Sequence, residues 1–203
     1  MCSRYDLTAL LWELVRRFNL DEPPAEPIPA NIGPVERALV IEAVPGEPGR
    51  RRARILIFGL PAPWDGRPLL NARIETLLER KTFQPLLQRR CLVPATGYFE
   101  WRTDGRRRIK TRIARPDGSP VAFAGLSDGD HFLIVTGPPA STIAHVHDRM
   151  PAIVTPDIES AWLDPTVPFD EARRRLGSEV GSQLIAIEEK PKLRQPGLFD
   201  ALA

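Results

Sequence analysis

The residues Cys91 to Trp101, CLVPATGYFEW, decide how the fold is interpreted. Apolar residues alternate with small or polar ones along this segment, which is the pattern of a half-buried β-strand. Similar short runs lie on both sides and are separated by turn-rich sequences such as PGEPGR and RPDGSP. Strands are therefore predicted over residues 38–44, 54–58, 91–101, 107–114, 121–125, 131–136 and 185–187.

Helices are predicted between these strands. Residues 6–20 place apolar side chains at helical spacing on one stripe, with Asp6 or Thr8 as the N-cap. The proline-rich segment 21–34 is expected to follow the surface without regular structure. Shorter helices are predicted over residues 71–80, 155–162 and 169–176.

These elements predict an α+β fold with a largely antiparallel, barrel-like β-sheet flanked by short helices. No linker divides the chain, so a single domain is expected over residues 2–190, followed by a flexible carboxyl-terminal tail over residues 191–203. With 203 residues, of which 42% are hydrophobic, the chain can bury a core without disulfides or metals.

Composition also excludes several classes of protein. No apolar run reaches the ~20 residues that a membrane helix needs, and Asp6 and Glu13 interrupt what would be a signal peptide. A cytoplasmic protein is therefore expected. Cys2 and Cys91 are too few for a metal-ligand quartet or a disulfide framework, and no metal or organic cofactor is predicted.

Clustered arginines are the one charge feature of note, because the formal net charge is only +2. Clusters at 50–52, 89–90, 106–108 and 173–175 would suit phosphate binding if they shared a face. For any single cluster, a solvated loop or helix face is the commoner arrangement.

Cys2 is the first candidate for chemistry. Removal of Met1 would leave a thiol and a free α-amine on one residue. The α-amine has a pKa of ~7.7–8.0, against ~10.4 for lysine, so it is far more nucleophilic at neutral pH. It can condense with an aldehyde to an imine, and the thiol can then close a five-membered thiazolidine intramolecularly. Alternatively, Cys2 is a small buried apolar residue.

Four segments in one order carry a resemblance to a known family. They are Met1–Arg4 (MCSR), Asn71–Thr76 (NARIET), Arg90–Trp101 (RCLVPATGYFEW) and His147–Pro151 (HDRMP). Together they resemble the SRAP family, the "SOS response-associated peptidase" or abasic site processing proteins, from residue 2 to about residue 163. The resemblance implies a DNA damage response protein that crosslinks covalently to abasic sites in single-stranded DNA, and hence association with the nucleoid.

The resemblance also implies residue roles. Cys2 would be the nucleophile, and Asn71 would position the Cys2 amine and the sugar. Glu100 would shuttle protons during imine formation, and His147 would act on the sugar oxygen and in ring closure or reversal. From the residues alone, Asn71 could instead be a helix N-cap, Glu100 a half-exposed strand residue and His147 structural, with His145 as a rival in the same segment.

Single-stranded DNA is the implied partner, and four further residues are assigned to it. Arg4, Arg73 and Arg149 would bind the DNA backbone through their guanidinium groups. Trp64 would stack on a base, with a core tryptophan as the alternative. A monomer is expected.

The sequence departs from the family pattern at several places. Ser3 replaces the family's glycine, and a β-carbon there could crowd the DNA backbone or shift Cys2. Of the family's segment R-Y-N-x-A-P, only Asn31 and Pro34 are clearly retained. The family's W-G-L segment reads Phe58-Gly59-Leu60 here, so phenylalanine stands where the family has tryptophan. These changes bear on DNA affinity and substrate preference.

The carboxyl-terminal sequence QPGLF resembles peptides that bind the bacterial sliding clamp. Gln195 would anchor the peptide, while Leu198 and Phe199 would fill an apolar pocket. Alternatively, Leu198 and Phe199 dock on the core of their own domain.

The sequence alone leaves three functions open. The first is the covalent crosslinker, and the second is a thiol peptidase, whose action could be limited to removal of residue 1. The third is a noncatalytic module that binds single-stranded DNA and in which Cys2 is inert.

Overall fold

In the computed structural model of the chain, which describes residues 2–105, 107–176 and 183–189, most of the secondary structure is β. The strands β1 to β15 are Tyr5–Asp6, Asn31–Ile32, Arg37–Ala43, Arg51–Phe58, Leu60–Pro61, Pro68–Leu69, Asn71–Arg73, Arg90–Ala95, Gly97–Asp104, Arg107–Ala114, Val121–Ser127, His131–Gly137, Met150–Pro151, Ile153–Val154 and Ile185–Glu188. The helices α1 to α3 are Leu11–Phe18, Glu159–Leu163 and Phe169–Arg174, and a 3₁₀ turn spans Gln84–Leu86.

Five strands form a closed ring. Its order is β12-β4-β3-β8-β11, and β11 pairs again with β12. The β12–β4 pairing is parallel, whereas the other pairings within the ring are antiparallel. The strands β8 and β11 are buried along their whole length, which explains why they read as near-continuous apolar runs.

A second sheet, wholly antiparallel, has the order β15-β10-β9-β1-β2. Tyr5 of β1 lies opposite Tyr98 of β9. Their rings make edge-on contacts with the core of the ring of strands: Tyr5 lies 5.6 Å from Phe58 and Tyr98 lies 5.8 Å from Phe123, measured between centroids. This packing fixes β1, and hence the residues before it, against the ring.

A buried carboxylate of α2 links helix α1 to β4. Glu159, which is 1% exposed, pairs with Arg17 at 2.7 Å and with Arg51 at 2.6 Å. Two cations on one buried carboxylate compensate the loss of its hydration. The apolar side of α1 buries Leu14 and Phe18.

The prediction of an α+β fold with a largely antiparallel sheet and short helices is confirmed. The predicted strand over residues 91–101, however, is two strands in two sheets, because the chain bends at Thr96. There the Thr96 hydroxyl donates a hydrogen bond of 2.7 Å to the carboxylate of Asp6. Strand β8 therefore belongs to the ring, while β9 belongs to the second sheet.

The predicted helix over residues 71–80 is wrong. Residues Asn71–Arg73 form β7, which pairs in parallel with β12, and turns follow. A partner more than sixty residues away determines this conformation, and local periodicity carries no information about such a partner.

The amino-terminal prediction also needs correction. The helix over residues 6–20 is shorter, because Asp6 lies in β1 and pairs with Arg112 at 2.6 Å instead of capping α1. Thr8 contacts Thr96, and the Glu13 carboxylate accepts the Leu10 N–H at 2.7 Å. The proline-rich segment contains β2, which pairs with β1.

None of the described helices is long and apolar enough to span a membrane. The predicted tail over residues 191–203, and with it Gln195, Leu198 and Phe199, lies outside the described residues.

Candidate active site around Cys2

Cys2 lies just before β1 and is 1% exposed. Its thiol faces the carbonyl oxygen of Arg4, with 3.7 Å between Sγ and the oxygen. Burial, and then the negative charge of Glu100, raise the pKa of the Cys2 thiol well above its ordinary value. The thiol is therefore protonated at neutral pH and needs a base before its sulfur can act as a nucleophile.

Asn71, the first residue of β7, holds the main chain of Cys2. Its side-chain amide Nδ2 donates a hydrogen bond of 2.8 Å to the Cys2 carbonyl oxygen. The other amide atom, Oδ1, is buried and accepts no hydrogen bond within the described part of the chain. Because Asn71 lies in a strand, the alternative that it caps a helix is excluded.

Glu100 reaches the same region from β9. The Phe99 N–H donates to the Arg4 carbonyl oxygen at 2.9 Å, which extends the pairing of β9 toward residue 2. Side chains alternate along a strand, so Glu100 shares the inward face of Tyr98. At 3% exposure Glu100 is not the half-exposed strand residue of the alternative interpretation.

His147 lies in the loop between β12 and β13 and is half-buried. Its Nε2 is 3.9 Å from Oε2 of Glu100. His145, the rival in this segment, is exposed. The site thus combines an amide on Cys2 with a carboxylate and an imidazole that face each other.

Two contacts at Nδ1 of His147 demand opposite protonation states. The Arg149 N–H donates to Nδ1 at 3.0 Å, which requires a lone pair there, whereas Oδ1 of Asp148 at 2.9 Å would require a proton. The amide is fixed by the backbone, whereas the Asp148 side chain is 84% exposed, so water competes for its contact. The neutral imidazole therefore carries its proton on Nε2, toward Glu100.

The residues assigned to DNA differ in their availability. Arg4 is half-buried and donates to the Asn31 side chain at 2.7 Å, next to Gly33, where a β-carbon would lie 2.8 Å from its Nη2. Arg73 is exposed on β7, two residues after Asn71. Trp64 is 65% exposed, which excludes the alternative of a core tryptophan.

Arg149 is different, because its guanidinium is already paired with a carboxylate. It makes a bidentate pair with Glu75, at 2.6 and 2.9 Å, and donates to the Thr136 carbonyl oxygen at 2.7 Å. A phosphate would have to compete with the Glu75 carboxylate for this side chain. The sequence interpretation missed Glu75, although it stands in the NARIET segment beside residues that were assigned roles.

Several clustered arginines also have carboxylate partners. In the cluster at 50–52, Arg51 pairs with Glu159, and Arg52 pairs with Glu42 at 3.2 Å. In the cluster at 173–175, Arg173 pairs with Asp170 and Arg175 with Glu171. These arginines therefore do not need nucleic acid as a source of negative charge. In the described ranges, no three His, Cys, Asp or Glu side chains lie together as metal ligands would.

Solved structures define the class of fold. A crystal structure of a protein from Bordetella bronchiseptica superposes with a TM-score of 0.78 at 22% identity, covering 94% of this chain and 100% of that one. A protein from Bacteroides thetaiotaomicron gives a TM-score of 0.74 at 22% identity, covering 93% and 92%. At this identity the likeness establishes a shared fold.

Sequence comparison establishes the family. The family described as "SOS response associated peptidase (SRAP)" matches residues 1–189, and the chain belongs to it. The abasic site processing protein YoqW of Bacillus subtilis is 34% identical over 184 residues, covering 81% of each chain. The abasic site processing protein YedK of Escherichia coli is 30% identical over 193 residues, covering 85% of this chain and 83% of YedK.

Proposed function

We propose that this chain, after loss of Met1, forms a thiazolidine crosslink between Cys2 and the aldehyde of an abasic site in single-stranded DNA, and so shields that site. The observation that carries the proposal is the grouping of Asn71, Glu100 and His147 around the second residue of the chain. The names of the relatives YoqW and YedK agree with abasic DNA as the substrate.

The chemistry needs two bond-forming steps and releases one water. The α-amine of Cys2 adds to the aldehyde carbon, and the resulting carbinolamine loses water to give an imine. The thiol sulfur then adds to the imine carbon, while the thiol proton is transferred to the nitrogen. The ring closes quickly because sulfur and nitrogen belong to one residue.

Each side chain has a defined part in these steps. Asn71 holds the Cys2 carbonyl, and thereby fixes the α-amine on the adjacent carbon. Glu100, whose charge acts on the Cys2 thiol, accepts the thiol proton as sulfur attacks and passes it on to the nitrogen. His147, with its proton on Nε2, donates a hydrogen bond to the oxygen that leaves as water, and the proton that completes the water comes from the carbinolamine nitrogen.

The state of the Cys2 thiol favours this route over a thiol peptidase. Peptidases of that class attack with a thiolate, commonly made by a histidine hydrogen-bonded to the sulfur. Here the thiol faces the Arg4 carbonyl, its pKa is raised by burial, and His147 faces Glu100. An amine that attacks first, followed by a thiol that is deprotonated late, fits these contacts better.

Noncovalent binding precedes the chemistry. Arg4 and Arg73 lie within two residues of Cys2 and Asn71 and would bind the flanking phosphates. The exposed ring of Trp64 offers a surface on which a base can stack.

Intact mass after mixing the protein with single-stranded DNA that carries one abasic site tests the proposal. The expected product is heat-stable and has the mass of the protein without Met1 plus the DNA, minus one water. Cys2→Ser should abolish it, whereas Cys91→Ser, at the other buried cysteine, should leave it intact. A protein that lacks Met1, binds the DNA and yet gives no adduct would refute the crosslinking function in favour of a noncatalytic DNA-binding module.

A further inference from the structure

We propose that Glu75 and Arg149 form a positioning pair that sets the tautomer of His147. The inference rests on the proposed function of the site, because it assigns the pair the task of positioning that histidine. It gives Arg149 a role through His147 in addition to, or in place of, phosphate binding.

The contacts of Arg149 are those of a fixed side chain. Its guanidinium makes two parallel hydrogen bonds to the Glu75 carboxylate, at 2.6 and 2.9 Å, and a third of 2.7 Å to the Thr136 carbonyl oxygen. The Arg149 side chain is 12% exposed. Bidentate geometry fixes direction as well as distance, so these bonds hold the residue in one orientation.

Glu75 remains charged in this arrangement. The hydrogen bonds from Arg149 lower the pKa of the Glu75 carboxyl below its ordinary value. Glu75 lies in the turns that follow β7, and Thr136 lies near the end of β12. Arg149 is thus tied to two elements that pair with each other in the sheet, β7 and β12.

The main chain of Arg149 makes a hydrogen bond to the His147 ring. The Arg149 N–H donates to Nδ1 of His147 at 3.0 Å, so any shift of the Arg149 main chain changes this hydrogen bond. With Nδ1 as acceptor, the imidazole proton lies on Nε2, which faces the Glu100 carboxylate at 3.9 Å. The other tautomer would place the Nε2 lone pair toward that carboxylate, which is repulsive.

Four charged or titratable groups surround the imidazole and bear on its pH response. Glu100 faces it from β9, and Asp148 and Arg149 lie in its own loop, with Glu75 behind Arg149. Loss of the Glu75 charge would free Arg149, weaken the amide contact at Nδ1 and let exposed Asp148 compete for a proton there. The Nδ1–H tautomer should then gain population.

Glu75→Gln tests the pair with little change in shape, and Glu79→Gln, at an exposed glutamate in the same run of turns, is the matched control. We expect Glu75→Gln to slow crosslinking about tenfold and to move its pH profile, since a proton on Nδ1 instead of Nε2 removes the hydrogen bond to the departing oxygen. Affinity for intact single-stranded DNA should not fall, and Glu79→Gln should behave as the parent protein.

Nitrogen NMR shifts of the His147 ring give a readout that needs no reaction. The parent protein should show the Nε2–H tautomer, and Glu75→Gln and Arg149→Lys should both show more Nδ1–H. Parent protein that does not crosslink would remove the proposed function but leave this test of the pair standing. If Glu75→Gln instead binds DNA more tightly, with tautomer and crosslinking rate unchanged, Arg149 is a phosphate ligand alone and the positioning role is wrong.

Discussion

The side-chain amide of Asn71 donates a hydrogen bond of 2.8 Å to the carbonyl oxygen of Cys2, although 69 positions separate the two residues in the chain. The contact depends on β7, because Asn71 enters the sheet opposite Ile134 of β12. A strand of three residues therefore positions the main chain of the residue that we propose as the nucleophile.

Asn71→Asp should impair crosslinking more than Asn71→Ala. Alanine removes one hydrogen bond, worth about 0.5–1.5 kcal/mol, and so predicts a loss of about two- to tenfold in rate. Aspartate places a negative oxygen against the Cys2 carbonyl oxygen, which repels it. Single-turnover crosslinking with excess protein measures both rates. Equal rates for the two variants would show that Asn71 does not act through this hydrogen bond.

Arg73→Ala and Trp64→Ala should weaken DNA binding in distinguishable ways. Loss of one phosphate contact should reduce the dependence of the logarithm of affinity on the logarithm of salt concentration by about one unit. Loss of a stacked base should cost about 1–3 kcal/mol with an unchanged salt dependence. Fluorescence anisotropy with single-stranded DNA at several salt concentrations separates the two effects.

Arg16→Ala, at an exposed arginine of α1, is the control for the removal of one positive charge. If it reduced the salt dependence as much as Arg73→Ala, the effect would come from net charge and Arg73 would have no specific phosphate contact.

The protein should lose stability at alkaline pH. Burial raises the pKa of the Cys2 and Cys91 thiols and of the Tyr5 and Tyr98 phenols. In the unfolded chain these groups ionise at their ordinary values, from about pH 8.5 upward, while in the folded protein they stay protonated. The unfolded state therefore binds fewer protons, and the free energy of unfolding falls as pH rises.

Urea unfolding between pH 8 and 10.5 measures this slope. Each fully ionising group contributes about 1.4 kcal/mol per pH unit, so Cys91→Ser should flatten the curve by up to that amount above pH 9. A curve that stays level up to pH 10.5 would contradict the burial of these acids.

Val35→Gly should stabilise the protein. Val35 is 64% exposed and has φ of 58°, in a turn closed by a hydrogen bond of 3.3 Å from the Glu36 N–H to the Gly33 carbonyl oxygen. A β-branched side chain in this region of φ costs roughly 1–2 kcal/mol, and glycine removes that cost while making the unfolded chain more flexible. We expect a net gain of about 0.5–1 kcal/mol in thermal or urea unfolding.

Val35→Ala is the control, because alanine keeps the β-carbon and so keeps most of the strain. A gain with alanine as large as that with glycine would place the cause in the exposed apolar surface instead of the backbone.

Deletion of residues 195–203 should abolish binding to a bacterial sliding clamp, if Gln195, Leu198 and Phe199 form the peptide that the sequence predicts. Surface plasmon resonance on immobilised clamp measures this, with replacement of Leu198 and Phe199 by alanine as the finer variant. Crosslinking by the shortened chain should be unchanged. A clamp signal that survives the deletion would remove the prediction.

Most strands were predictable from sequence because their own residues determine them. The segments that became β3, β4, β10, β11 and β12 carry apolar runs bounded by Gly and Pro turns, and their predicted bounds lie within three residues of the observed ones. The bend at Thr96 was not predictable, because the alternation of apolar residues continues through it. Its cause is the contact with Asp6, ninety residues away in the chain.

The same distinction between local signals and distant contacts applies to the residues of the site. Cys2, Asn71, Glu100 and His147 were chosen from their motifs, and the structure brings them to one region, where their roles stay predictions. Glu75 escaped notice because an exposed-looking acid in a predicted helix gives no hint of a partner 74 residues away. Bidentate pairing across loops is a property of the folded chain and has no local sequence signal.

The place of β1 between β2 and β9 has a mechanical consequence for a crosslinked protein. A polymerase or helicase that pulls on the DNA would pull on residue 2, and the force would pass directly into β1. There the strand is held on both sides by hydrogen bonds, and Asp6 is clamped by Arg112 through two bonds of 2.6 and 3.0 Å. Bonds loaded side by side along a strand share the tension, so DNA crosslinked as we propose would be tethered to the body of the sheet instead of to a loose chain end.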